Sequence, residues 1–220
     1  ADGPTSRRLF ELGEKAVAKN LKVGVGLMSR HSRALQRLHD QIQDGPIGDI
    51  APMFAYRLTG PVGSAFSLQW QGKPRELRWQ IKNFHSFIWA SGGNFSDFNI
   101  HIIDHLCWMK NAYPVKAHAL GGRHYREISE GVTSVDQNLD TYSVEYTYAD
   151  GTKFFLGGRC INGCNQIYNS ACHGSKGMAI ASKSGDCGAP SSIHSGQEPT
   201  RDNRIWQSKV NRRESSPYQN

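Results

Sequence analysis

Asp97, His101 and Asp104 stand at positions i, i+4 and i+7. On a helix that spacing puts all three side chains on one face. A carboxylate one turn ahead of an imidazole orients the ring and stabilises the imidazolium, which makes a general acid/base pair. Gly92-Gly93 just upstream would let the backbone approach a ligand closely. A structural reading stands beside this one. Asp97 is also a charge that the helix dipole favours in a first turn, and His101 is also a core histidine bonded to a carbonyl. A third reading takes in His105, which with Asp97 and His101 would line one side of a metal site. No fourth ligand or Cys/His pair accompanies them, so no metal is assigned.

The remaining candidates are weaker. His31, His85, His124 and His173 lie near loops or strand ends. Trp79, Phe84, Phe87 and Trp89 read as core packing, with sugar stacking as a second use. Gly24 and Gly26 lie inside an apolar run and open no helix, so they are not a dinucleotide fingerprint. The chain has no P-loop, nucleophile elbow or kinase motif.

Those residues need elements to position them. Leu9, Phe10, Leu12, Ala16 and Val17 recur at helical spacing, with Asn20 as a stop. The run 21–27 (LKVGVGL) reads as a buried strand, although the chain contains no preceding strand to pair with it. Residues 32–43 read as a second helix with Leu35, Leu38 and Ile42 on one face, ended by Gly45-Pro46. Residues 49–59 read as a strand and 60–74 as a loop rich in Gly, Pro and Ser. Trp79, Asn83 and Phe87 are spaced to share a helical face, and a further helix runs from Asn94 or Ser96 to about Lys110. The segments 115–123, 139–148, 153–160, 166–172 and 178–181 read as strands, with turns at Asp150-Gly151 and Ser175-Lys176-Gly177. Helices followed by strands predict an α+β domain: a largely antiparallel open sheet with helices on one face.

Bulk composition narrows the class further. The 220 residues carry a net charge of +7, with Arg204, Lys209, Arg212 and Arg213 as the dense cluster. With no nucleic-acid-binding motif beside it, that cluster reads as a solvated tail, and no nucleic-acid partner is expected. No stretch approaches the roughly 18 apolar residues of a membrane span, and no signal peptide is visible. The five cysteines, Cys107, Cys160, Cys164, Cys172 and Cys187, are an odd number that leans towards a reducing compartment, the cytoplasm.

The stretch 91–108, SGGNFSDFNIHIIDHLCW, resembles the Gly-Gly-x-x-x-Asp-x-x-x-His-x-x-Asp signature of the Gfo/Idh/MocA oxidoreductases. Residues 23–31 (VGVGLMSRH) are similar to that family's last Rossmann strand and the segment leaving it. Residues 43–50 (QDGPIGDI), 79–90, 144–151 and 174–177 are similar to its helix-to-sheet crossing, aromatic helix, sheet hairpin and turn. The resemblance covers about residues 1 to 180.

The resemblance implies that 1–30 is the end of a Rossmann domain, preceding an α+β substrate-binding and oligomerisation domain at 31–182. Residues 183–220 are then an irregular polar tail. It implies hydride transfer between NAD or NADP and a sugar, cyclitol or related polyol, with His101 as acid/base and Asp97 assisting. Asp104 matches a family position. Arg30, His31, Trp79, Asn83 and His85 are candidates for lining the substrate pocket. It also implies homo-oligomers packed through the open sheet face, and Tyr142, Val144, Tyr146 and Tyr148 alternate in the manner of such a face. The family includes exported as well as cytoplasmic enzymes.

Two departures qualify the match. The Glu-Lys-Pro motif that supplies a lysine in the family, and the Gly-rich nucleotide-binding unit, are not in this sequence. Pro217-Tyr218-Gln219 resembles the start of a segment leading into a further helix, so the chain reads as truncated at both ends. Taken alone it is expected to lack dehydrogenase activity. Two further classes stand open: a non-catalytic binding or assembly module with the same fold, and a hydrolytic or metal-dependent enzyme using Asp97, His101 and His105.

Overall fold

The computed structural model describes residues 2–24, 26–65, 70, 72–73, 75–123, 126–128, 132–134, 136–188 and 190–209. The expectations for Val25, His124, Arg212, Arg213 and the Pro217-Tyr218-Gln219 segment lie outside the described residues.

Helix α1 spans Gly3–Ala18. Asp2 caps it, its Oδ1 accepting the Thr5 N–H at 2.7 Å, and Pro4 occupies the first turn, where a missing N–H costs nothing. The left-handed Asn20, φ 53°, stops the chain from continuing. No residue of α1 is buried, and Leu9, Phe10 and Val17 are exposed. The strand expected at 21–27 does not form among its described residues. A strand exists only where a neighbour takes its backbone hydrogen bonds, and among the described residues no strand pairs with this run.

After a 3₁₀ turn at Met28–His31 comes α2, Arg33–Gln43. Ser32 caps it, Oγ accepting from the Leu35 N–H, and Leu35, Leu38 and Ile42 form its buried stripe. Strand β1 spans Ile50–Thr59. The aromatic segment is not one helix. Helix α3 covers Glu76–Lys82, a 3₁₀ turn follows at Phe84–Ser86, and α4 is a single turn at Ile88–Ser91. Ser86 explains the break: its Oγ donates to the Ser64 carbonyl at 2.7 Å and ties the segment to the loop after β1. Trp79 and Phe87 still meet, edge to face at 5.5 Å.

The next helix begins as a π turn at Phe95–Asn99 and continues as α5, Ile100–Lys110, closed by left-handed Asn111. Strands β2 (Lys116–Gly122), β3 (Arg126–Ile128), β4 (Val132–Ser134), β5 (Thr141–Thr147), β6 (Lys153–Cys160), β7 (Ile167–Gly174) and β8 (Met178–Ser182) follow. Both expected turns form, with Gly151 at φ 86° in the first. The segment 183–220 is not irregular throughout. Ser192–His194 (β9) and Arg204–Gln207 (β10) extend the sheet at one edge.

The sheet order is β10-β9-β8-β7-β1-β6-β5-β2, and β3 and β4 pair separately. Only the central β1–β6 pair in this order is parallel; the other neighbours run antiparallel. Helices α2 and α5 cover one face, burying Leu35, Leu38, Ile102, Leu106, Met53, Phe154 and Ile193 in one core.

Strand alternation shows that Tyr142, Val144, Tyr146 and Tyr148 share a face, and the structure turns that face towards the helices. Val144, Tyr146 and Tyr148 are buried in the core, and Tyr142 lies against Phe95 at 5.7 Å. These side chains offer the strand's largest apolar area, so burial takes them. The open face instead carries Phe54, Tyr56, Phe155 and Leu120, the last of them 70% exposed. All five cysteines are free thiols. No helix among the described residues is long and apolar enough to cross a membrane.

Candidate active site

The π turn sets the site's geometry. An i→i+5 turn takes in one residue more than an α turn, so Asp97 and His101, four apart across its end, are rotated out of α-helical alignment. No hydrogen bond or ion pair joins Asp97 to His101 among the described residues, and His101 Nδ1 has no protein partner. Asp97 Oδ2 lies 3.4 Å from Nε2 of His85, at the 3₁₀ turn before α4. Nδ1 of His85 in turn faces Ser64, 2.9 Å from Oγ and 3.1 Å from the backbone N–H. Asn138 braces the same corner. Its Nδ2 donates to the His85 carbonyl at 2.6 Å, and its Oδ1 accepts the Asn94 N–H at 2.8 Å.

Asp104 faces elsewhere. It is buried and takes two hydrogen bonds of 2.8 Å from Arg30, whose guanidinium lies 4.9 Å from the Trp108 ring centroid. The Asp104 hydrogen bond, outweighing burial, raises the Arg30 pKa. These two expected substrate residues thus grip each other. His31 is exposed on the turn beside them. Asn83 Nδ2 donates to the Trp79 carbonyl, which closes α3.

His105 belongs to a third cluster, beneath α5. It is fully buried, with Nδ1 3.1 Å from Ser170 Oγ and Nε2 2.8 Å from the Asp186 carbonyl. Burial pushes its pKa down. The Asp186 carboxylate accepts from Tyr168 at 2.7 Å and from Arg57 at 3.0 Å, and Arg57 also donates to the Phe98 carbonyl. Burial, reinforced by Asp186, pushes the Tyr168 phenol up. With both ring nitrogens of His105 engaged, the metal reading through Asp97, His101 and His105 has no ligand there. Among the described residues no group of three His, Cys, Asp or Glu side chains is placed to hold a metal ion.

His101 lies between these clusters on the first turn of α5. It is half-buried, and its Nδ1 is shielded from solvent with no protein partner. At the π turn, the amide of Asn94, which precedes it, and Asn99 Nδ2 are also buried without a protein partner. A groove of about 1090 Å³, lined in part by Gln43, Asp49, Lys110 and Lys153, opens at the other end of α5, about 14 Å along its axis from His101. The residues sequence reasoning missed are Ser64, Asn138, Arg57 and Asp186. None belongs to a spaced motif, and each reaches its partner across 18 or more residues.

The described residues do not build a dinucleotide site. Gly24 and Gly26 lie outside any helix or strand, shortly before a 3₁₀ turn, and no strand-turn-helix cradle surrounds them among the described residues.

No family model matches this chain, and no curated protein does. Solved structures do. An NAD-binding oxidoreductase from Klebsiella pneumoniae superposes with a TM-score of 0.65 at 12% identity, covering 92% of this chain and 50% of that one. An oxidoreductase domain protein from Kribbella flavida gives 0.63 at 16% identity, covering 89% and 48%. A putative myo-inositol dehydrogenase from Sinorhizobium meliloti 1021 gives 0.57 at 19% identity, covering 91% and 51%. The chain thus spans about half the length of the structures it matches. At these identities the likeness is one of architecture: the chain has the fold of the C-terminal, sheet-bearing domain of Gfo/Idh/MocA-type oxidoreductases.

Proposed function

We propose that this chain is the substrate side of an NAD(P)-dependent oxidoreductase acting on the CH–OH group of a sugar, cyclitol or related polyol. The observation that carries the reading is His101. Its Nδ1 is buried without a protein partner, while His85, Asp104 and His105 around it are all engaged. An imidazole held this way exchanges a proton with a bound hydroxyl: it takes the proton as the alcohol is oxidised and returns it in reduction. Asp97, 34% exposed at the side chain, supplies negative charge near that step. The fold supports the substrate class, since the matched structures include a levoglucosan dehydrogenase bound to NADH and L-sorbose. The nicotinamide, NAD or NADP, would be held by residues other than those described here.

The exposed apolar face of α1 suits packing against a further domain of the same protein. The open sheet face, where Phe54 stacks on Phe155 at 5.4 Å, suits a second copy of the chain.

The test is turnover by the complete protein with NAD⁺ or NADP⁺ and a panel of sugars and cyclitols, followed by the absorbance of the reduced nicotinamide. His101→Asn is expected to lower kcat by about 10²- to 10⁴-fold without loss of fold. Full activity in that variant, or no turnover with any polyol, would overturn the reading.

A further inference from the structure

We infer that His85 is the positioning residue for Asp97, and that Ser64 sets the ring so that its Nε2–H faces the carboxylate. The inference rests on the reading of Asp97 and His101 given above and adds a residue to it.

A backbone N–H can only donate. The Ser64 N–H lies 3.1 Å from His85 Nδ1, so Nδ1 is the bare nitrogen of the neutral ring. The ring proton then sits on Nε2, the nitrogen 3.4 Å from Asp97 Oδ2. Ser64 grips the histidine twice more. Its Oγ is 2.9 Å from Nδ1 and accepts the His85 backbone N–H at 3.4 Å. The ring cannot turn over to exchange its nitrogens. Phe98 stacks on it at 5.3 Å with an 18° tilt, and Phe84 lies at 3.8 Å. On the remaining side Gly63, at φ 59°, comes so close that a Cβ there would lie 2.5 Å from the ring.

Three separate segments thus enclose one imidazole: the loop after β1, the turn before α4, and the π turn bearing Asp97. The carboxylate, which can only accept, thus has the His85 Nε2–H 3.4 Å from its Oδ2. Its Oδ1 has no hydrogen-bond partner among the described residues. A relay of this kind, in which a second residue fixes the first, is worth about 10- to 100-fold in activity where it has been dissected in metal sites.

The test has two arms, both on the complete protein. Long-range ¹H–¹⁵N NMR of the histidine side chains reports the tautomer without reference to activity. The expected result is Nε2–H for His85, retained in Ser64→Ala because the backbone N–H that faces Nδ1 remains; an Nδ1–H ring in the unaltered protein overturns the inference. In the kinetic arm His85→Phe is expected to lower kcat about 10- to 100-fold with KM changed less than about threefold. His85→Gln, whose amide N–H reaches the Nε2 position, is expected to restore most of it. Loss in both variants alike, or in neither while His101→Asn is inactive, overturns the positioning role and leaves the parent reading intact. If His101→Asn is fully active, both fall.

Discussion

Arg30 grips Asp104 with two parallel hydrogen bonds of 2.8 Å, Nε to Oδ2 and Nη2 to Oδ1. The two lie 74 residues apart and join the turn before α2 to the middle of α5. The carboxylate is buried, and the guanidinium is about one-third exposed. Removing the arginine leaves a buried charge unpaired, which is the costly way to break such a pair. Arg30→Ala is expected to lower stability by about 2 kcal/mol, less than for a fully buried pair because water still reaches Arg30. The double variant Arg30→Ala, Asp104→Ala should cost clearly less than the two single changes added together. Urea unfolding of the four proteins measures this, and strict additivity would contradict it.

Gly63 provides a second prediction. At φ 59° a side chain is strained, and a Cβ would strike the His85 ring. Gly63→Ala is expected to cost at least about 1 kcal/mol from the backbone alone. It should also displace the His85 signals in an NMR spectrum while leaving those of His105 in place. Unchanged stability would mean that this loop does not hold His85.

The pH dependence follows from His105. Burial lowers its folded-state pKa, so below the unfolded value near 6.5 the unfolded chain takes up a proton that the folded chain refuses. Stability is therefore full above that value and falls as pH drops beneath it, by at most about 1.4 kcal/mol per pH unit from this one group. Unfolding midpoints measured from pH 7.5 to 5.5 should show this slope, and His105→Gln should flatten it. An equal slope in the variant would assign it to other histidines.

The open face gives a fourth. Phe155 and Phe54 stack there, with Tyr56 beside them. Phe155→Glu places a charge in that patch without touching the core. It is expected to reduce the sedimentation mass to that of one chain at unchanged helix content. An unaltered mass would rule this face out as the contact between copies.

Much of the fold was legible because its signals are local. Ser32 ahead of a 3.6-residue apolar stripe is enough for α2, and Asp150-Gly151 between alternating segments is enough for the hairpin of β5 and β6. Asn20 ends α1 through a backbone preference that acts within a few residues. Strands β9 and β10, at one side of the sheet, escaped this reading. They are short, lie among Ser, Gly and Pro, and owe their form to the neighbour that takes their hydrogen bonds.

The sequence by itself determined the α+β order, the ends of α1 and α2 and the turns, the resemblance that singles out Asp97 and His101, and the pairing of residues on common strand faces. Tertiary structure alone decided which face Tyr142, Val144, Tyr146 and Tyr148 present, because alternation carries no sign and only packing against α5 supplies one. It likewise decided that Asp97 meets His85, that Asp104 meets Arg30, and that His105 turns to Ser170 and Asp186. Helical spacing constrains neighbours one turn apart, whereas a buried charge or imidazole takes whatever partner the folded chain brings within hydrogen-bond reach. Here those partners come from 12 to 81 residues away.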